Sequence, residues 1–185
     1  MAYSVPLFST MNLAGIDINT ATSYGVATST NTAYSPEYPQ EGNLRVGTTV
    51  LGTLDGQWVY CTAATAAFVK YDVVQISPTF TCSQVSTAAT TLFGQMAGVI
   101  MATASTGQYV WVMTNGVTPG INVVTGVGAN VPLYTSATAG RLTGTLATGV
   151  TSIMTGFILT TGSTGGTSAA SQGAIVVSGK VGAIS

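Results

Sequence analysis

"GQYVWVMTNG", residues 107–116, decides how this chain must fold. Side chains on a strand alternate between its two sides. Tyr109, Trp111 and Met113 therefore share one face, and Val110 and Val112 share the other. Both faces are apolar, whereas a strand with one side in water alternates apolar with polar residues. The ribbon needs cover on both sides, from a second layer of the same chain or from a partner subunit.

Working outward, strand signals are dense from Val46 onward. "VGTTVLGTL" (46–54) and "QWVYC" (57–61) flank Asp55-Gly56, a dipeptide that suits a two-residue hairpin because it tolerates positive φ. "AFVKYDVVQIS" (67–77) is a strand or a pair closed by Pro78, and "TFTCSQV" (79–85) follows. "STAATTLFGQ" (86–95) reads as a helical turn or a loop. "MAGVIMAT" (96–103) joins "QYVWVMT" (108–114) through the small-residue turn "ASTG", and Asn115-Gly116 predicts a second hairpin into "VTPGINVV". "NVPLYTS" and "RLTG" are separated by the turn "ATAG", and "IMTGFILT" and "AIVVSG" complete the set. No stretch carries a helical apolar stripe of useful length. The pattern predicts an all-β fold, a small antiparallel β-barrel or sandwich built of hairpins.

An internal echo supports this reading. "MAGVIMATASTG" (96–107) and "MTGFILTTGSTG" (154–165) match at Met96/Met154, Gly98/Gly156, Ile100/Ile158, Thr103/Thr161 and through the closing Ser-Thr-Gly. Each reads as a strand entering a tight turn before another apolar strand. Two related hairpins, similarly placed in one barrel, are expected. One short repeat does not make a solenoid, which stacks several units.

Residues 1–45 differ from the rest. They show neither strand nor helix periodicity and end in the Pro- and Tyr-bearing "YSPEYPQEGN". Apolar side chains are dotted through them, at Tyr3, Val5, Leu7, Phe8, Tyr24, Tyr34 and Tyr38. The organisation expected is an extended N-terminal arm over 1–45 and a β-domain over 46–185. The arm lies either on its own domain or on a neighbouring molecule. These seven residues, with Val110 and Val112 of the two-faced ribbon, are the candidate partner contacts.

Composition points the same way. Charged residues make up 5% of the 185 residues, and the net charge is −1, whereas ordinary globular proteins carry about 25% charged residues. A small protein that stays free in solution is usually kept apart by net charge, so this chain has little electrostatic defence against association. Four basic residues spread over the whole length form no patch for a phosphate backbone, which excludes nucleic acid as a partner. No run approaches the roughly 20 apolar residues of a membrane helix, so no membrane partner is expected. "MAYSVPLFSTMNLAGI" has neither the basic start nor the solid apolar stretch of a secretory signal. Synthesis and initial residence in a cytoplasm are expected.

Catalytic chemistry finds few candidates. The chain has no His, the residue that most often serves general acid–base catalysis. Asp55 is accounted for by its turn, and Asp72, with Lys70, flanks a bend in "FVKYDVV". "GVGANVP" and "GSTGGTS" lack the lysine and following helix of a phosphate loop. Cys61 and Cys82 are too few to hold a metal without His. They read as buried reduced thiols, with a disulfide left open by the spacing. No catalytic residue, metal site or cofactor is expected. Trp58, Tyr60, Tyr109 and Trp111 would form a sugar-stacking platform if they faced outward together, though aromatic residues in strands more often belong to a core or interface.

"GTLDGQWVYCTAATAAFVKYDVVQIS" (52–77), "GQMAGVIMATASTGQYVWVMTNG" (94–116), "NVPLYTSATAGRLTG" (130–144) and "MTGFILTTGSTGG" (154–166) together resemble the small β-rich decoration, or cement, proteins of tailed-phage heads. The shared pattern consists of structural glycines and apolar strands, and residues 1–45 fall outside it. The resemblance implies a non-enzymatic virion protein on the capsid surface, bound to the major capsid protein as a homotrimer and assembled in the host cytoplasm. It implies no catalytic residue. The alternatives are a tail or fibre module that binds host glycan through exposed aromatics, and a minor capsid or tail-tube structural protein.

Overall fold

A computed structural model of the chain describes Ile18 and residues 46–52, 55–64, 67–87, 94–146, 152–163 and 172–183. Among these residues there is no helix, and ten strands form one mixed sheet that closes on itself. In chain order the strands are β1 (Thr49–Leu51), β2 (Gln57–Ala63), β3 (Val73–Ile76), β4 (Thr81–Gln84), β5 (Met96–Ile100), β6 (Tyr109–Thr118), β7 (Leu133–Thr135), β8 (Leu142–Thr143), β9 (Ser152–Leu159) and β10 (Ala174–Ala183). The all-β expectation holds.

Five strands make a small barrel. The sheet runs β2-β4-β3-β5-β6, and β6 returns to β2 with Val59 opposite Val112 and Cys61 opposite Val110. One pairing in the ring is parallel, β2 with β4, where Ala63 stands opposite Cys82. A parallel pair cannot be joined by a tight turn. The connection runs through β3, and a bridge between Phe68 and Ala104 steadies the approach to it. β7 to β10 and the segment after β6 cover one outer side of this barrel.

The two faces of β6 thus find two separate cores inside one chain. Val110 and Val112 pack inside the barrel with Val59, Cys61, Phe68, Val74, Ile76, Cys82 and Ile100. Trp111 and Met113 point outward into a second, larger cluster that includes Trp58, Tyr60, Leu133, Leu142, Phe157, Leu159 and Val176. Tyr60 stacks on Tyr109 at 5.6 Å between ring centroids and meets Trp111 at 4.8 Å. Each such buried side chain contributes roughly 1.5–3 kcal/mol. Ile18, from the segment read as an arm, is 6% exposed and belongs to this outer cluster. At that position the N-terminal segment completes its own chain's core.

Turn chemistry was legible at one dipeptide and misleading at the other. Asp55, at φ 55°, lies in the turn from β1 to β2, but Leu51 pairs with Gln57 and Gly56 is not at positive φ, so the connection is longer than the two-residue hairpin expected. Asn115-Gly116 does not turn. It lies within the ten-residue β6, where Gly116 takes φ 108° and the β2 register slips between Gln57 and Trp58. Positive φ serves a bulge here, because β2 and β10 both pair with β6 on either side of it. The segment 86–95 lies largely outside the described residues.

The echo also has a structural counterpart, in different layers rather than equivalent places. β5 is part of the barrel wall and β9 of the covering layer, and both flank β10: Lys180 stands opposite Met96 on one side and Thr155 on the other. Met96 is exposed and Met154 buried. The matched glycines share one role. A Cβ on Gly98 would strike the carbonyl of Met113 on β6, and a Cβ on Gly156 would strike that of Val177 on β10. In each hairpin the returning strand crosses where the first has no side chain.

Asp72, 3% exposed, fastens the two layers. Its Oδ2 accepts from the Val69 amide at 2.9 Å and from Gln84 Nε2 at 2.6 Å, and its Oδ1 accepts from Asn122 Nδ2 at 2.8 Å. Gly140, at φ 77°, leaves room for the carboxylate: a Cβ there would lie 2.5 Å from Asp72 Cγ. A buried carboxylate with three donors stabilises, but the same donors stranded without it cost heavily. Replacement Asp72→Ala is expected to lower stability by about 2–4 kcal/mol, read as a shifted urea midpoint with an unchanged slope.

Candidate docking groove

A groove at one mouth of the barrel holds about 470 Å³. One rim is the start of β1, where Gly47 takes φ 87° and leaves the space that the Phe80 ring fills. The opposite rim is the bulge of β10, where the β9 register slips between Val176 and Lys180 and Ser178 adopts φ 46°. Gln57, Val59 and Thr114 form the floor. A neighbouring recess of about 270 Å³ shares Phe80, Gly94 and Met96 with it.

Asn115 holds the rims in relation to one another. Its Nδ2 donates to the carbonyl of Asp55 at 2.8 Å, and its Oδ1 accepts from the Ser178 amide at 3.3 Å. One side chain thus joins the β1–β2 turn, the β6 bulge and the β10 bulge. Gly116 allows this approach, since a Cβ there would lie 2.8 Å from Gly56 Cα.

Beyond the groove, the outward face of β6, β10 and β9 carries Val117, Ile175 and Ile158 in one cross-strand row. Val177 projects beside the row at 54% exposure, Ile158 is 43% exposed, and Met96 at the groove edge is 42% exposed. Lys180 is the one ionisable side chain among the groove's lining residues. β1 ends the sheet with its outer edge unpaired by any described strand and Leu51 exposed. Such an edge and such a face invite another polypeptide. The arrangement offers apolar contact, backbone hydrogen-bonding groups and one cation.

The residues singled out from sequence fall elsewhere. Val110 and Val112 are both 0% exposed inside the barrel. Their face of the ribbon is covered by the chain itself, so neither is available to a partner. Tyr3, Val5, Leu7, Phe8, Tyr24, Tyr34 and Tyr38 lie outside the described residues. The aromatic platform is closed: Trp58 and Trp111 are 0% exposed, Tyr60 is 1% exposed and Tyr109 is half-buried against it. A sugar would have to displace the covering layer to stack there. Asp55 sits exposed at its hairpin tip, while Asp72 is engaged in the layer contact, and the structure does not combine them into a site. Among the described residues no cluster of His, Cys, Asp or Glu is placed to hold a metal. The groove residues went unnoticed in sequence because Met96, Ser178 and Lys180 come together only through β10. The one available signal was the run "AIVV", apolar on both faces.

No protein-family model matches the chain, and no curated protein matches it in sequence.

Cys61 and Cys82 are free thiols inside the barrel. Burial pushes the Cys82 thiol up to about 12 against a slight opposing pull from a backbone hydrogen bond, and pushes Cys61 higher still with Cys82 beside it. The thiolate is the reactive form. Native protein at pH 8 is therefore expected to leave a disulfide-exchange dye unreacted over hours, and guanidinium-unfolded protein to titrate both thiols within minutes. Rapid labelling of the native state would contradict the closed barrel.

Proposed function

We propose that this protein is a non-enzymatic structural component of a virion, a decoration protein that binds and stabilises the shell of a phage head. The observation that carries the reading is the apolar face of β6, β9 and β10 with the groove beside it, bordered by a single cation. Large exposed apolar patches on a small protein mark interaction sites. A cement must add contact area at many identical positions without a charge field that sets copies against each other. Scarce charge suits that need, because desolvating Thr, Ser and aliphatic surface costs less than desolvating ions. The two-core build provides a rigid platform for such a face, and rigid partners lose little entropy on docking. On this reading the partners are the major capsid protein and further copies of the chain, arranged as a trimer on the outer surface of the virion. The sequence resemblance to head decoration proteins agrees with it. Burial of Trp58, Tyr60 and Trp111 leaves the glycan-binding alternative without its platform.

The test is direct. Purified protein added to expanded, undecorated shells is expected to co-sediment and to raise their resistance to heat or chaotrope. Substitutions Ile158→Glu and Val177→Glu, on exposed positions, are expected to abolish co-sedimentation while leaving the melting temperature of the free protein within a few degrees. Shells equally robust with and without the protein would overturn the proposal.

A further inference from the structure

Asn115-Gly116 is the one Asn-Gly pair in the chain, although the sequence contains Asn at six other positions. An asparagine followed by glycine is chemically labile, because the next backbone nitrogen meets no side chain as it approaches the amide carbon. We infer that Asn115 is a spontaneous modification site, guarded by the fold, whose conversion irreversibly unfastens the groove. This inference does not depend on the role proposed above.

The chemistry is intramolecular and needs only water. The Gly116 nitrogen attacks Asn115 Cγ and forms the N–C bond of a five-membered succinimide. The Cγ–Nδ2 bond breaks, and the amide nitrogen leaves as ammonia with the proton from the Gly116 nitrogen. Water then opens the ring at either carbonyl, giving aspartate or isoaspartate at position 115.

The folded geometry opposes the first step. Ring closure requires Cγ to swing onto the Gly116 nitrogen, yet both ends of the amide are held, Nδ2 by the Asp55 carbonyl at 2.8 Å and Oδ1 by the Ser178 amide at 3.3 Å. Asn115 and Gly116 also stand in register with Gln57 on β2 and Val176 on β10. Attack must wait for the β1–β2 turn and the β10 bulge to release the side chain together. Once conversion occurs, the release becomes permanent. A carboxylate has no N–H to give to the Asp55 carbonyl and instead faces it as a second acceptor. Isoaspartate also inserts a methylene into the backbone of β6 between its pairings with β2 and β10. The tie to the β1–β2 turn is lost in either product, and the tie to the β10 bulge is displaced where isoaspartate lengthens the backbone.

Full-length protein is incubated at pH 8 and 37 °C, native and in denaturant, and mapped by peptide mass spectrometry and isoaspartate-specific methylation. Conversion at Asn115 is expected to outrun that at the other asparagines in denaturant, and to be slower by ~10-fold or more in the native state, as local opening dictates. Folded protein that has converted, separated by ion exchange, is expected to exchange amide hydrogens faster around Asp55–Trp58 and Val177–Lys180 while the barrel interior keeps its protection. The variant Asn115→Asp, if it folds, is expected to reproduce the faster exchange around Asp55–Trp58, and the converted wild-type protein provides the measurement if it does not. Equal conversion rates in native and denatured protein, or unchanged exchange at both rims after conversion, would overturn the inference.

Discussion

A ribbon that is greasy on both sides cannot sit at the surface of a single-layered sheet, and the architecture follows from that constraint. β6 presents valines to one side and a tryptophan and a methionine to the other, so the chain builds one core on each side of it. The inner core closes a five-stranded ring around small aliphatic groups and two thiols. The outer core requires a covering layer, which β7 to β10 provide. Area burial of this kind is non-directional. Specific registration comes from the few polar ties across it, chiefly the carboxylate of Asp72 and the amide of Asn115.

Much of this was legible from residues alone, and what was missed has physical causes. Strand alternation identified the two-faced ribbon, and the Asp55-Gly56 dipeptide marked a real turn, because both depend on the local backbone. Asn115-Gly116 carries the same local signal but lies within a strand. Two partners distant in sequence extend β6 through it, and the positive φ of Gly116 is spent on a bulge instead. Val110 and Val112 were correctly read as needing cover, yet sequence could not say whose. Their neighbours Cys82 and Phe68 belong to other parts of the chain. The groove depends on how β10 changes partners, a long-range fact that no local pattern encodes.

Charge scarcity takes a particular form here. Among the described residues the rare ionic groups divide between the interior and the surface. Asp72 is sequestered to pin the layers together, and Lys180 stands beside the exposed aliphatic row. A buried carboxylate satisfied by neutral donors is sensitive to any loss of those donors, so the layer contact depends on Gln84, Asn122 and the Val69 amide together.

The bulge of β10 has a further consequence. By kinking, this one strand joins β6 at one end, β5 at the other and β9 along its length. It is also the most C-terminal of the described strands, so it leaves the ribosome after all the others. The inner ring contains all five of its strands before β10 emerges, but the outer cluster lacks Ala174, Val176 and Val181 until it arrives. A nascent chain of this design passes through a stage that is half native and adhesive, a hazard common to proteins whose folding exposes apolar surface in stages. Crowded polysomes translating one message in many copies would bring such intermediates side by side.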